Sequence, residues 1–232
     1  NKQTTQIILA LALAGVSLPA FAQDAALAET EKPKLIFQIT VDQLRGDLPT
    51  RFLDRMGEGG FRYFLDEGIV YGNAHHAHAN TETIVGHATL ATGAHPSAHG
   101  MIGNIWLDRG TGSLTYNIED ERYGLLTEGA DVDEKTEIDP TQRAATSDGR
   151  SPRAILAATF SDGLAAYFGR RSKSFAVSGK DRGAVPMAGH AGKAFWFSTD
   201  NGDFVTSRYY YDAYPAWANR WNAQRKAEEY DG

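Results

Sequence analysis

The run Leu35-Ile36-Phe37-Gln38-Ile39-Thr40-Val41 is almost unbroken in β-favouring residues and stops abruptly at Asp42. A strand that reads this way, without polar alternation, is one buried on both faces, the condition of strands in a parallel sheet. From about Pro49 to Glu67 the apolar residues Phe52, Met56, Phe61, Phe64 and Leu65 fall near helical spacing, with a break expected at Gly59-Gly60 and a stop at Gly68. Ile69-Val70-Tyr71 reads as a second strand. Strand, helix, strand in this order predicts a βαβ unit and hence an α/β sheet.

Further along, Val85 to Thr92 predicts a short helix closed by Gly93, with Thr83 at its N-terminal end. Thr111 to Asp148 is polar, acidic and aperiodic, and reads as an insertion or long surface loop. Pro152 is expected in the first turn of a helix over Ala154 to Phe168, stopped by Gly169. Ser174 to Ser178 and Ala194 to Phe197 read as strands. No internal repeat or low-complexity tract interrupts this order.

With 232 residues, 42% hydrophobic and 22% charged, 24 Gly, 8 Pro and no Cys, the composition excludes disordered, collagen-like and disulfide-stapled chains. A chain of this length buries roughly 70% of its unfolded surface, so a metal would serve chemistry rather than folding. The formal net charge of -6 is a poor match to a nucleic-acid binder. At the N-terminus, Lys2, the apolar run Ile7 to Leu18 and Ala20-Phe21-Ala22 form the three regions of an export signal, with cleavage expected before Gln23. The apolar run falls short of the roughly 20 residues of a membrane span, so a soluble periplasmic or secreted monomer is expected, a retained N-terminal anchor being the alternative. Gln23 to Lys34 would be the mature N-terminal tail, and 35–232 is expected to be part of a longer protein, since the chain opens on Asn and stops just after a helical pattern.

Three groups of residues could carry chemistry. Asp42 ends an apolar strand, where ligands bind in open α/β sheets; it is either a divalent-cation ligand or a turn and capping residue. Asn73 to Asn104 holds six of the seven His: His75, His76, His78, His87, His95 and His99. His76 and His78 would share one face of an extended segment, which allows a zinc site or, equally, hydrogen bonding around a buried turn. Lys180 and Arg182 follow the strand ending at Ser178, and if that segment is extended both point the same way, onto one anion.

The strings TVDQLRGD (Thr40 to Asp47), NTETIVGHATLATGAHPSAHGMIGN (Asn80 to Asn104), SPRAILAATFSDGLAAYF (Ser151 to Phe168), VSGKDRGAVPMAGHAGKAFWF (Val177 to Phe197) and FVTSRYY (Phe204 to Tyr210) together resemble the alkaline phosphatase superfamily. The likeness is to its threonine-nucleophile branch of exported bacterial phosphomonoesterases, with the nucleotide pyrophosphatase/phosphodiesterases as near cousins. It implies a doubly wound, largely parallel sheet with helices on both faces, the C-terminal part being absent here. It also implies Thr83, in a T-x-x-x-H arrangement with His87, as nucleophile and zinc ligand, and Asp42 as a zinc ligand. Asn104, Lys180 and Arg182 would contact the phosphoryl oxygens, and the clustered His would take supporting roles.

The resemblance further implies two zinc ions, small phosphorylated substrates and two in-line displacements through a phosphothreonine. Two cations suit the dianionic group of a monoester better than a diester. The family's other metal ligands, an Asp and His four apart, an Asp-His pair and a distant His, have no counterpart before Gly232, so this chain by itself is expected to bind zinc weakly and to lack turnover. Two other readings stay open: a phosphodiesterase of the same superfamily, and a non-catalytic exported phosphate-binding protein that would not need Thr83. A sulfatase lacks its cysteine precursor here, and no G-x-G-x-x-G turn of a dinucleotide-binding enzyme follows the first strand.

Overall fold

The computed structural model describes residues 33–130 and 140–230. The expected signal peptide, 1–22, and most of the expected tail, 23–34, lie outside the described residues. The chain divides into two units, Asn1–Ile39 and Thr40–Gly232. The described part of the first unit, 33–39, contains no helix or strand.

The second unit begins with short pieces where one broken helix was expected: α1 (Leu48–Arg51), a 3-10 turn (Leu53–Arg55) and α2 (Phe61–Glu67). Gly60 precedes α2 at φ 62°, a conformation that a residue with a Cβ reaches only with strain. Then come α3 (Thr83–Thr92), α4 (Pro96–His99), β1 (Ile105–Leu107), β2 (Leu114–Tyr116), α5 (Phe160–Phe168), β3 (Phe175–Ser178), α6 (Asp181–Ala188), β4 (Lys193–Phe197), β5 (Phe204–Val205) and α7 (Ala216–Asn222). No helix among the described residues is long and apolar enough to cross a membrane.

Neither 35–41 nor 69–71 forms a strand, contrary to the sequence pattern. Leu35 is 79% exposed and Ile69 84%, and no described element pairs with either segment. A strand meant for burial on both faces has no autonomous stability without a ladder on each side. The βαβ unit is found instead at β3–α6–β4, where β3 and β4 pair in parallel and α6 packs against both. β5 adds to β4 antiparallel, and β1 with β2 forms a separate antiparallel hairpin, so one strand pair here is parallel rather than most of a sheet.

The hairpin corrects the reading of Thr111 to Asp148 as a loop throughout. Tyr116, Asn117 and Ile118 are buried, and Tyr116 pairs in register with Ile105. The helix expected over Ala154 to Phe168 begins only at Phe160. Its start is set by a capping box in which Thr159 Oγ1 accepts from the Asp162 N–H while the Asp162 carboxylate accepts from the Thr159 N–H. That cap satisfies two helix-end N–H groups, an advantage that Pro152 cannot offer.

The core joins α3, α6 and the β3–β4 pair, with Ile84, Val85 and Ala88 of α3 facing Ala184, Val185 and Ala188 of α6. Burying an Ile or Val side chain contributes about 1.5–3 kcal/mol. The small residues of α6 let it lie close to β3: a Cβ on Gly183 would stand 2.3 Å from Ser178 Oγ. This close seat fixes the start of α6, which carries Lys180 and Arg182.

Candidate functional site

Thr83 is the first residue of α3 and half-buried, so the helix N-terminus favours negative charge at its hydroxyl. Thr83 Oγ1 donates to Asp42 Oδ2 at 3.3 Å. Asp42 is exposed, and the Gln43 N–H donates to its other oxygen at 3.1 Å. Gln43 adopts φ 58°, a left-handed conformation unfavourable for a residue with a Cβ, and this turn aims the Asp42 carboxylate. The Asp42 carboxylate thus serves the turn through one oxygen and faces the Thr83 hydroxyl with the other.

Asn104 is buried beside the same helix end. Its Oδ1 accepts from the Ile84 N–H at 3.1 Å, and its own N–H donates to Glu82 Oε2 at 2.5 Å. The side-chain carbonyl is thereby committed to the helix, and the amide is left oriented to donate through Nδ2. Glu82, immediately before Thr83, is a positioning group with no distinguishing signal in the sequence.

Lys180 and Arg182 do not share one extended segment: Lys180 has extended backbone and Arg182 is helical. Lys180 is the exposed residue just before α6, and Arg182 is buried in its first turn. With one residue extended and the other helical, the rule that alternate residues share a face does not apply to this pair. Arg182 Nη1 donates to the Tyr116 hydroxyl at 3.4 Å, and Tyr116 donates to Asp181 Oδ1 at 2.7 Å. Asp181 also accepts from Arg150 Nε at 2.6 Å and from the Arg182 N–H at 2.6 Å. Arg150 and Asp181 each have side chains 1% exposed, and the Arg150 guanidinium lies 5.0 Å from the centre of the Tyr116 ring. Burial first, and the Asp181 charge second, push the Tyr116 phenol well above its usual pKa, so it stays protonated and its hydrogen is available to Asp181.

His87 lies between α3 and the first turn of α6. Its Nδ1 donates to the Thr83 carbonyl at 2.8 Å, and its Nε2 would lie 3.8 Å from a Cβ on Gly183, next to Arg182. Thr83, Asp42 and Asn104 are thus in direct or one-residue contact, and Arg182 is tied to Asn104 through the hairpin that carries Tyr116.

His78 and His99 of the cluster serve hydrogen bonding. His78 Nδ1 donates to the Asn80 carbonyl at 2.6 Å, and its Nε2 sits 3.0 Å from Thr89 Oγ1. His99 accepts from the Met101 N–H at Nδ1 and meets the same Thr89 oxygen at 3.1 Å. Burial, more than the neighbouring His78 and His95, holds the His99 pKa below its usual value. Among the described residues no group of three or more His, Cys, Asp or Glu side chains converges on one point.

Residues 36–229 match the family model of type I phosphodiesterases and nucleotide pyrophosphatases. Alkaline phosphatase PhoV of Synechococcus elongatus is 35% identical over 200 residues, covering 86% of this chain and 34% of that protein. Alkaline phosphatase PafA of Elizabethkingia meningoseptica is 36% identical over 193 residues, 82% of this chain and 33% of the other. The crystal structure of wild-type PafA superimposes with a TM-score of 0.69 at 34% identity, over 79% of this chain and 33% of that one, which shows an alkaline-phosphatase-like α/β fold. A structure of PafA with a threonine, an asparagine, a lysine and an arginine replaced superimposes equally, with a TM-score of 0.69. The chain spans about a third of the length of these relatives.

Proposed function

Since this chain belongs to the type I phosphodiesterase/nucleotide pyrophosphatase family, in the alkaline phosphatase branch typified by PafA and PhoV, we propose that the full-length protein hydrolyses phosphate monoesters through a phosphothreonine on Thr83. The observation that carries this reading is the Thr83 hydroxyl, set at a helix N-terminus and directed at the Asp42 carboxylate 3.3 Å away.

The two oxygens of Asp42 and Thr83 are a hard donor pair that fits a divalent cation, and the remaining ligands of a four-coordinate zinc would come from elsewhere in the full-length protein. A bound zinc would supply electrostatic stabilisation of negative charge on the hydroxyl oxygen and on the transferring group. The residues of this chain do the rest. Thr83 Oγ1 forms a bond to phosphorus as the bond to the leaving oxygen breaks. Water then cleaves the phosphothreonine, giving inorganic phosphate and restoring the hydroxyl. Asn104 Nδ2, Lys180 and Arg182 contact the non-bridging oxygens, where charge stabilisation lowers the barrier. The four residue types replaced together in the PafA variant are those of Thr83, Asn104, Lys180 and Arg182, which supports grouping them in one site.

The test is turnover of an aryl phosphate against a bis-aryl phosphate by the full-length protein, with acid quenching to locate bound phosphorus. Faster monoester turnover with phosphorus on Thr83 is expected. Preference for the diester would favour the second reading, a phosphodiesterase, which the description of the matching family itself suggests. Phosphorus on another side chain would overturn the nucleophile assignment. The export reading of Asn1 to Ala22 places this activity in the periplasm or outside the cell, and N-terminal sequencing of exported protein, expected to begin at Gln23, tests it.

A further inference from the structure

Two groups proposed to hold the phosphoryl oxygens, Asn104 and Arg182, come from segments 78 residues apart, yet one small ribbon reaches both. Asn104 leads directly into β1, and β2 returns antiparallel so that Tyr116 stands opposite Ile105. The ribbon is closed at that end by Asn117, whose N–H and side-chain amide both donate to the Asn104 carbonyl, at 3.2 Å and 2.6 Å. The end that fixes the Asn104 backbone therefore also delivers the Tyr116 hydroxyl to Asp181 and Arg182.

Burial beside a carboxylate keeps the proton on the Tyr116 phenol at ordinary pH, so the phenol is not a general base. It has one hydrogen, which goes to Asp181, and so the oxygen it offers Arg182 is an acceptor in a fixed position. Arg150 occupies the other Asp181 oxygen, so the carboxylate is held from two sides and the phenol is held in turn. From this geometry we infer that Tyr116 is a positioning residue that sets the guanidinium of Arg182 relative to Asn104, and through it the preference for a dianionic phosphoryl group. The inference rests on the monoesterase reading above. It adds to that reading a residue that touches no substrate atom and yet tunes substrate class.

The experiment uses the full-length protein with Tyr116→Phe, alone and combined with Arg182→Ala. Phenylalanine keeps the ring against Arg150 and removes only the hydroxyl. The expected result is a fall of about tenfold in kcat/KM for the aryl phosphate and weaker inhibition by inorganic phosphate, with the bis-aryl phosphate rate changed less than about twofold. In the Arg182→Ala background, Tyr116→Phe should add less than about twofold, because its effect passes through a side chain already removed. Equal losses on both substrates, full additivity with Arg182→Ala, or no loss at all would overturn the inference. If Tyr116→Phe does not fold, Arg150→Met combined with Asp181→Leu serves instead: the buried ion pair is removed together and no side-chain acceptor remains at position 181 for the phenol, and the same selective pattern is required of it. Absence of monoester turnover in the unsubstituted protein would overturn the proposed function; turnover without this pattern would overturn the role of Tyr116 alone.

Discussion

Thr83 Oγ1 lies 3.3 Å from Asp42 Oδ2, a contact made across 41 residues of sequence. If the hydroxyl is the nucleophile, Thr83→Ala in the full-length protein lowers kcat about a thousandfold or more, while inhibition by inorganic phosphate changes by only a few fold. Steady-state kinetics with phosphate as inhibitor checks both halves. Unchanged turnover would remove Thr83 from the mechanism, and parallel loss of turnover and phosphate affinity would point to a damaged site.

The Arg150–Asp181 pair, at 2.6 Å and almost wholly buried, makes a separate prediction about stability. Arg150→Met leaves a buried carboxylate without its cationic partner and should cost about 3–5 kcal/mol. Arg150→Met combined with Asp181→Asn should recover part of that loss, since the uncompensated charge is gone. Denaturant midpoints of the two variants decide it, and a single substitution costing as little as the double would contradict the buried-charge account.

Gly183 sits in the first turn of α6, where alanine would ordinarily gain about 1 kcal/mol in helix propensity. Here the added Cβ would meet Ser178 Oγ at 2.3 Å and Ser178 Cβ at 3.1 Å. Gly183→Ala is therefore expected to destabilise by about 1–3 kcal/mol. Adding Ser178→Ala removes the nearer contact and should restore part of the loss, which thermal or chemical unfolding would register.

Asp162 gives a pH dependence with a defined direction. Burial pushes its pKa up, but the Thr159 N–H, the His190 ring and the Ala191 N–H outweigh it and hold the carboxyl below its usual 3.8. Because the folded pKa is depressed, this contribution to stability is complete above about pH 3.8 and is lost as pH falls through the folded value. Asp162→Asn should lower stability at neutral pH and flatten the acid limb of the stability profile. An acid limb of unchanged slope would show that other carboxylates govern it.

Much of the local structure was legible in the sequence where the signal was itself local. The strand at Phe175–Ser178, the helix Thr83–Thr92 and its stop at Gly93, with φ 66°, follow from an apolar run and a left-handed glycine. Leu35 to Val41 carries an equally strong pattern and forms no strand, because the pattern records a need for neighbours that no described element meets. The start of α5 went to Thr159 rather than Pro152 because a reciprocal cap outweighs a residue that is merely tolerated in a first turn.

In the candidate site, Asp42 stood out at the end of an apolar run and the family resemblance pointed to Thr83 and Asn104; the structure gathers the three at one helix end. Lys180 and Arg182 were recognisable as cations, but not that a helix begins between them, since spacing alone does not show where an extended segment gives way to a first helical turn. Tyr116, Arg150 and Asp181 were not recognisable as a group. Their contacts bridge 65 and 31 residues, and Tyr116 lies in a segment whose polar composition conceals a strand of only three residues.

The far end of the β1–β2 ribbon turns through Arg109 to Gly112, exposed to solvent, while its near end carries Asn104 and Tyr116. As the chain has no cysteine, Arg109→Cys would provide a single thiol in this segment for a fluorophore or spin label, away from every group in the phosphoryl-binding proposal. A probe there would report whether the ribbon moves during a catalytic cycle, from a position outside the groups proposed to do the chemistry.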